Sequence, residues 1–308
     1  MAVVTSDFLA AVFTTFRALW QDAFLAAQQD VTYPQLCMEV QSNNLTETYN
    51  WLGTVPIMKL WIDSRQHQGM YPFNYSLTND HYEVTVDVDR DTFEDDRLGM
   101  IAPRISQLGM EAPRFVDFTA ITALAAGATS GNNSYDGVTF YNASHLTGPN
   151  AAQTNLYSAT GQTLVTIQAD FAGAKAQMRR VLDDQGRPMN LVPNLILAPP
   201  ELEQPFRQLL FSASIPAGAV AAAMQNTFVG QADLATTPYL TSATTWHLLA
   251  TRAAAWKPLI YQNRKAPEFV GVTALDNPNV FERRFFSYGV DSRFKIGYGM
   301  WETAIKVA

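Results

Sequence analysis

The stretch Tyr82–Asp89 constrains this chain more than any other. Tyr82, Val84, Val86 and Val88 alternate without a break with Glu83, Thr85, Asp87 and Asp89. Side chains of an extended backbone point to opposite faces at successive residues, so a period of two demands a β-strand with one apolar and one acidic face. Upstream, Tyr71, Phe73, Tyr75 and Leu77 alternate as well, and Thr78-Asn79-Asp80-His81 between the two runs is turn chemistry. The pattern predicts an extended β-hairpin or pair of hairpins over residues 57–90, with further loop around Arg65 to Gly69.

Helices flank this region. Phe8, Val12, Phe16, Leu19, Ala23 and Phe24 recur at helical steps over residues 6–28, with Ser6 or Asp7 as cap, and Phe13 and Trp20 widen the apolar stripe. Such a helix either packs in the core of its own domain or lies as an arm on a neighbouring subunit. Thr92 caps a second helical region whose face is Leu98, Ile101, Ile105 and Leu108. Pro103 and Pro113 predict a kink or split there, because each removes an N–H and crowds the preceding turn. Phe115–Ala126 continues it, ended by Gly127. Residues 129–163 read as loops with short strands, Thr163–Leu182 as a helix, Leu191–Leu197 as a strand and Glu201–Phe211 as a helix. Residues 215–240 are rich in Ala and Gly. Strands follow at Trp246–Ala250, Leu259–Gln262, Phe281–Phe294 and Ile296–Val307. Helices and strands mix without a steady βαβ rhythm, which makes the fold class α+β.

Composition excludes several functions. Of 308 residues, 47% are hydrophobic and only 16% charged, below the ~25% usual for soluble domains. Some of the surface therefore expects a protein neighbour. The formal net charge of -7 opposes broad nucleic-acid binding, which needs Lys and Arg to displace counterions. No apolar run reaches membrane-spanning length. The start of the chain lacks the basic residues of a secretory signal, with Arg17 its first positive residue, and the single cysteine, Cys37, suits synthesis in a reducing cytoplasm.

Catalytic and cofactor patterns are sought without success. There is no phosphate-binding glycine loop, and Gly297-Tyr298-Gly299 lacks the third glycine and the βαβ context of a dinucleotide site. His67, His81, His145 and His247 have no zinc spacing. Asp87, Asp89 and Asp91 mimic the start of a calcium loop, but Thr92 and Leu98 occupy positions that require Gly and Glu. No catalytic residue, metal ligand or cofactor is assigned.

Trp51-Leu52-Gly53 with Pro56, Trp61 and Arg65 is followed by Phe93-Glu94-Asp95-Asp96, Gly99, Tyr135-Asp136-Gly137, Phe140 and His145. Later come Leu195-Ile196-Leu197-Ala198-Pro199-Pro200, Ala232-Asp233-Leu234, Pro238-Tyr239-Leu240, Lys257-Pro258-Leu259-Ile260, Tyr288-Gly289-Val290, Arg293 and Gly297-Tyr298-Gly299 before Trp301. In this order and spacing, from about residue 42 to the C-terminus, the chain resembles the major head (capsid) subunits of Mu-like phages and prophages.

The resemblance implies the Hong Kong ninety-seven-type tailed-phage capsid fold. It implies an N-terminal arm at 1–50, an E-loop β-hairpin at 51–91, a peripheral domain with a spine helix at 92–129 and 251–308, and an axial domain at 130–250. The implied function is a structural major capsid protein, not an enzyme, whose copies form the hexamers and pentamers of an icosahedral head around double-stranded DNA. It would be made in the bacterial host cytoplasm and reside in the virion. The short arm implies a separate scaffold, with a protease, a portal and cement proteins as further partners, no sequence-specific DNA contact and no membrane. A lone ribbon needs a neighbour, so Trp61, Phe73 and Tyr75 are expected to anchor a contact between copies, and Arg65 to pair with a neighbour's Asp87 or Asp89. Rival readings are a nanocompartment shell of the same fold holding protein cargo, a cytosolic hydrolase using Asp136 and His145, and a glycan-binding β-rich module.

Overall fold

A computed structural model describes residues 5–50, 52, 61, 74–94, 98–147, 150–217, 220–252, 257–274 and 277–308. In chain order the elements are α1 (Ser6–Gln28), α2 (Tyr33–Leu36), β1 (Cys37–Gln41), β2 (Thr46–Thr48), β3 (Ser76–Thr78), β4 (Asp80–Asp89), α3 (Arg90–Glu94) and α4 (Leu98–Ala125). Then come β5 (Leu156–Tyr157), α5 (Leu164–Arg180), β6 (Leu195–Ala198), α6 (Glu203–Phe211), β7 (Ser214–Ala217), β8 (Val220–Gln225), β9 (Asp233–Thr236) and β10 (Trp246–Leu249). The chain closes with β11 (Leu259–Val272), α7 (Pro278–Arg283), β12 (Phe285–Tyr298) and β13 (Ala304–Val307).

The first sheet has the order β1-β11-β12-β4, with β12 antiparallel to both long neighbours. In β4 and β12 the even-numbered residues face the core. Val84, Val86 and Val88 of β4 stand opposite Val290, Tyr288 and Phe286 of β12, on the face covered by α1 and α4. There Leu9, Val12, Phe16 and Trp20 of α1 meet Ile101, Ile105 and Leu108 of α4 and Phe269 and Tyr288 of the sheet. Phe16 meets Tyr288 edge-on at 5.2 Å, the geometry that ring quadrupoles favour. The two helices approach closely because Gly109 has no side chain: a Cβ there would stand 2.5 Å from the Trp20 carbonyl oxygen. Thr5, one residue ahead of the expected Ser6 or Asp7, supplies the cap, its Oγ1 accepting from the Phe8 N–H at 3.2 Å.

The second sheet runs β5-β13-β10-β6-β9. Strands Leu195–Ala198 and Trp246–Leu249 are buried at every position, because both faces are covered. Such strands read as continuous apolar runs rather than alternations. On one face lie Ile167, Phe171, Ala174 and Met178 of α5 and Phe206, Leu209 and Leu210 of α6. On the other, Leu195, Leu197 and Leu249 join a core shared with α4 and the first sheet.

The structure corrects two expectations. The run at 78–81 is not a hairpin turn: β3 pairs with β2, and β4 pairs with β12. Alternation fixes which side chains share a face but not which strand lies alongside. The rest of that hairpin, with Arg65 and Phe73, lies outside the described residues. The prolines do not divide α4, which continues through both. A glycine stands four residues before each, Gly99 and Gly109, where the proline ring crowds the helix. Of the two readings of the first helix, packing in the core of its own chain is the one observed, with α1 on the face of the first sheet and β1 at its edge. Within the C-terminal stretch, β11 and β12 lie in the first sheet and β13 pairs with β10 in the second.

A buried polar cluster lies beside the second sheet. His145 Nδ1 donates to Asp136 Oδ2 at 2.6 Å, and its ring stacks on Trp301 at 4.0 Å and 3°. The Tyr135 hydroxyl donates to Glu302 Oε1 at 2.6 Å. Burial pushes the Glu302 carboxyl up to about 7, against the opposing hydrogen bond from Tyr135, and Asp136 and Asp184 add repulsion. Nearby, burial holds the His247 imidazole down at about 3, so its neutral Nδ1 accepts from the Tyr141 hydroxyl at 2.8 Å.

Two predictions follow from this packing. Exchanging an exposed helical glycine for alanine gains up to about 1 kcal/mol, whereas overfilling a tight contact costs about 1–3 kcal/mol. At Gly109 the neighbour is backbone, so Gly109→Ala will lower the urea midpoint and speed proteolysis ahead of residue 30; a raised midpoint would contradict the close approach. The second concerns pH. The folded pKa of Glu302 is raised from 4.5 to about 7, so its contribution is fully present below about 4.5 and is lost as pH rises to about 7. The span is on the order of 3 kcal/mol. Glu302→Gln keeps the acceptor for Tyr135 and will flatten stability between pH 5 and 8; an unchanged slope would assign the effect elsewhere.

Candidate assembly interface

The strand expected to meet a neighbour stands at the rim of its sheet. β4 ends the order β1-β11-β12-β4, so one of its edges has no partner strand among the described residues. Exposed edges of this kind invite pairing unless they are covered or charged. Between β4 and α4 runs a groove with an apolar floor and charged rims. One part, of about 390 Å³, is lined by Val86, Leu108, Met110, Gln107, Arg104, Glu111 and Arg114. It continues past Val84, Ala112 and Phe115 on one side and past Asp87, Asp89 and Met100 on the other. Met100 is 72% exposed although it belongs to the central helix, an unusual cost for a surface meant to face water.

The face formed by the odd-numbered residues of β4 and β12 is polar. The Ser287 hydroxyl donates to Asp87 Oδ1 at 2.5 Å, while Asp89 Oδ1 accepts from the Asp91 N–H at 2.8 Å, closing the turn into α3. Arg284 reaches Asp91 at 2.5 Å. Lys265, 2.8 Å from Asp291, holds that carboxyl below its usual range, helped less by His81. Asp87, Asp89 and Asp91 are thus each engaged by their own chain, and among the described residues no cluster suited to a metal ion occurs.

The ends of β2 and β3 are joined to the first sheet by a buried hydrogen-bond chain that no sequence pattern announces. The Tyr49 hydroxyl donates to Gln262 Oε1 at 2.7 Å. Gln262 Nε2 donates to Asn79 Oδ1 at 2.8 Å, and Asn79 Nδ2 donates to the Asn44 carbonyl at 3.0 Å. Glu47 Oε1 accepts from the N–H groups of Asn43 and Asn44 at 3.0 and 3.1 Å, which lowers its pKa. Leu77 lies against Gly297, where a Cβ would stand 2.3 Å from it. That glycine, read from sequence as strand packing, makes room for β3.

The sequence-derived contact residues divide. Tyr75 turns inward: its hydroxyl accepts from the Tyr298 N–H at 2.8 Å, its carbonyl accepts from the Tyr49 N–H at 2.7 Å, and burial raises its pKa to about 12. Trp61 is 66% exposed. Arg65 and Phe73 lie outside the described residues. Asp136 and His145, the pair a hydrolase would need, do meet, but they are 4% and 0% exposed. A substrate has no access to them there.

Comparison with known proteins is consistent along the whole chain. The family model described as Mu-like prophage major head subunit gpT matches residues 9–170, 165–240 and 241–308. The Mu-like prophage FluMu major head subunit of Haemophilus influenzae is 27% identical over 304 residues, covering 99% of this chain and 74% of that relative. The major capsid protein of Escherichia phage Mu is 27% identical over 305 residues, covering 99% and 75%. A solved procapsid subunit of bacteriophage JBD30 aligns over 98% of this chain and 75% of its own, with 27% identity and a TM-score of 0.60. The interlocked α+β sheets, the long helix across them and these matches together place the chain in the family of Mu-like prophage major head subunits, structural shell proteins of the Hong Kong ninety-seven-type fold.

Proposed function

We propose that copies of this chain close into an icosahedral head of hexamers and pentamers around double-stranded DNA. The observation that carries this reading is the β4 edge, without a partner strand among the described residues, beside an apolar, charge-rimmed groove in a chain whose family builds phage heads. In this reading residues 1–50 serve as the N-terminal arm, 51–91 as the E-loop, 92–129 and 251–308 as the peripheral domain with its spine helix, and 130–250 as the axial domain. Trp61, Arg65 and Phe73 of one copy reach the groove of the next, where Asp87 and Asp89 receive Arg65. Tyr75 acts indirectly, as the inner post of the loop. A separate scaffold and protease, a portal and cement proteins complete the head, assembled in the bacterial host cytoplasm. The net charge of -7 suits DNA confined without adhesion to the wall.

Expression of the chain with its scaffold will yield closed particles by negative-stain electron microscopy; a species that sediments as a monomer in every condition would refute the shell. Asp87→Lys will leave the urea midpoint within about 0.5 kcal/mol, as for most surface changes, yet abolish particles, and Arg65→Glu in the same chain will restore them. Particles of normal yield from Asp87→Lys alone would remove the assigned pair.

A further inference from the structure

The buried polar cluster sits where the chain crosses from one sheet to the other. β12 ends in the first sheet at Tyr298, β13 enters the second at Ala304, and Trp301–Thr303 makes a single helical turn between them. Against this crossing packs the turn Asn133–Thr139. It is closed on itself by one isolated bridge, Asn133↔Thr139, with the Ser134 N–H donating to the Val138 carbonyl at 2.8 Å and Gly137 in the left-handed region at a φ of 84°. Side chains fasten it to the crossing: the Tyr135 hydroxyl to Glu302, and the Asp136 carboxylate to His145, whose ring lies on Trp301. Facing Glu302 are Tyr135 and Asp136 from this turn and Asp184 from the loop after α5. Three carboxyl groups thus share one buried site. The basic groups nearby are committed elsewhere, His145 to Asp136 at 2.6 Å and Arg187 to Asp183 at 3.4 Å. Glu302 Oε2 has no hydrogen-bond partner among the described residues.

We infer that the turn Asn133–Thr139 is a proton-controlled latch on the crossing between the two sheets: protonated Glu302 holds it shut, and release of that proton to solvent lifts it. The reason is electrostatic. An ionised Glu302 would add a negative charge beside two aspartates, in surroundings that solvate charge poorly. The closed turn is itself part of the cause, since it supplies Asp136 and covers the site, so lifting it relieves both costs at once. The hydrogen bond from Tyr135 favours the ionised form, but burial outweighs it and raises the carboxyl from 4.5 to about 7. The closed form therefore binds the proton more tightly than the open form, where Glu302 meets water. Between those two values each pH unit raises the opening constant up to about tenfold, and above about 7 the rise levels off. The latch lies within one subunit and needs no neighbouring copy, so it stands apart from the shell reading.

Hydrogen exchange read by mass spectrometry on the full chain, corrected for the intrinsic effect of pH, tests the latch. From pH 5 to pH 7.5 the opening constant of peptides covering residues 133–139 will rise at least about tenfold, while that of peptides within β11 stays unchanged. From pH 7.5 to pH 8.5 the rise will stop. Glu302→Gln keeps an acceptor for Tyr135 and has no proton to lose, so it will hold the turn at its pH 5 protection throughout. A second measurement needs no variant. Infrared difference spectra of the wild-type chain will show a carboxylic-acid C=O band that persists above pH 6 and disappears together with the exchange transition. Exchange that ignores pH, a rise shared equally by β11, a slope that survives in folded Glu302→Gln, or the absence of that band overturns the latch.

Discussion

Everything in this subunit depends on β12 being paired along both edges. It is antiparallel to β11 on one side and to β4 on the other, so from Ser287 to Phe294 it is flanked on both edges, by a strand close in sequence and by one some two hundred positions away. Only then do its even-numbered residues form a continuous apolar surface, and only on such a surface can α1 and α4 bury their stripes. The aromatic residues Phe16, Trp20, Phe269 and Tyr288 are the consequence: four large rings from three elements that share one core. Removing water from rings of this size is the largest favourable contribution a side chain can make.

Local pattern revealed much of this. The limits of α1 at 6–28 agree with its apolar period, the cap at Thr163 with the start of α5, and the even-numbered face of β4 with the valines that alternate there. These are properties of neighbours along the chain. What stayed hidden depends on residues far apart. The partner of β4 lies some two hundred positions away, and nothing in its alternation distinguishes β12 from a nearby hairpin arm. Likewise Pro103 and Pro113 read as breaks, because a propensity argument knows nothing of the burial that holds α4 together on both sides of each ring.

The candidate contact surface was legible to the same degree and for the same reason. An acidic, solvent-facing side of β4 is visible in its sequence, whereas the groove beside it needs α4 in place. His145 was conspicuous as the partner a hydrolase would pair with Asp136 and as one piece of the head-subunit resemblance. Its role emerges once Trp301, from the end of the chain, lies flat against its ring. Nothing in the sequence marked the buried roles of Asn79, Gln262 and Asn226, although Asn79 read as turn chemistry. Each is an uncharged amide whose importance comes from being buried with several backbone and side-chain partners, and an isolated polar letter carries no mark of burial. Unsatisfied, such amides would each forfeit roughly 1–3 kcal/mol.

The junction at Asn79 has a mechanical meaning. Because β3 passes into β4 with a single residue between them and no reversal, a pull on the segment that precedes β3 travels along the axis of β4. The rungs joining β4 to β12 then resist together, in shear, instead of opening one after another like a zipper. A shell swollen by internal pressure stretches its subunits in the plane of the wall, and a strand tethered in this way distributes that tension over ten rungs of register at once.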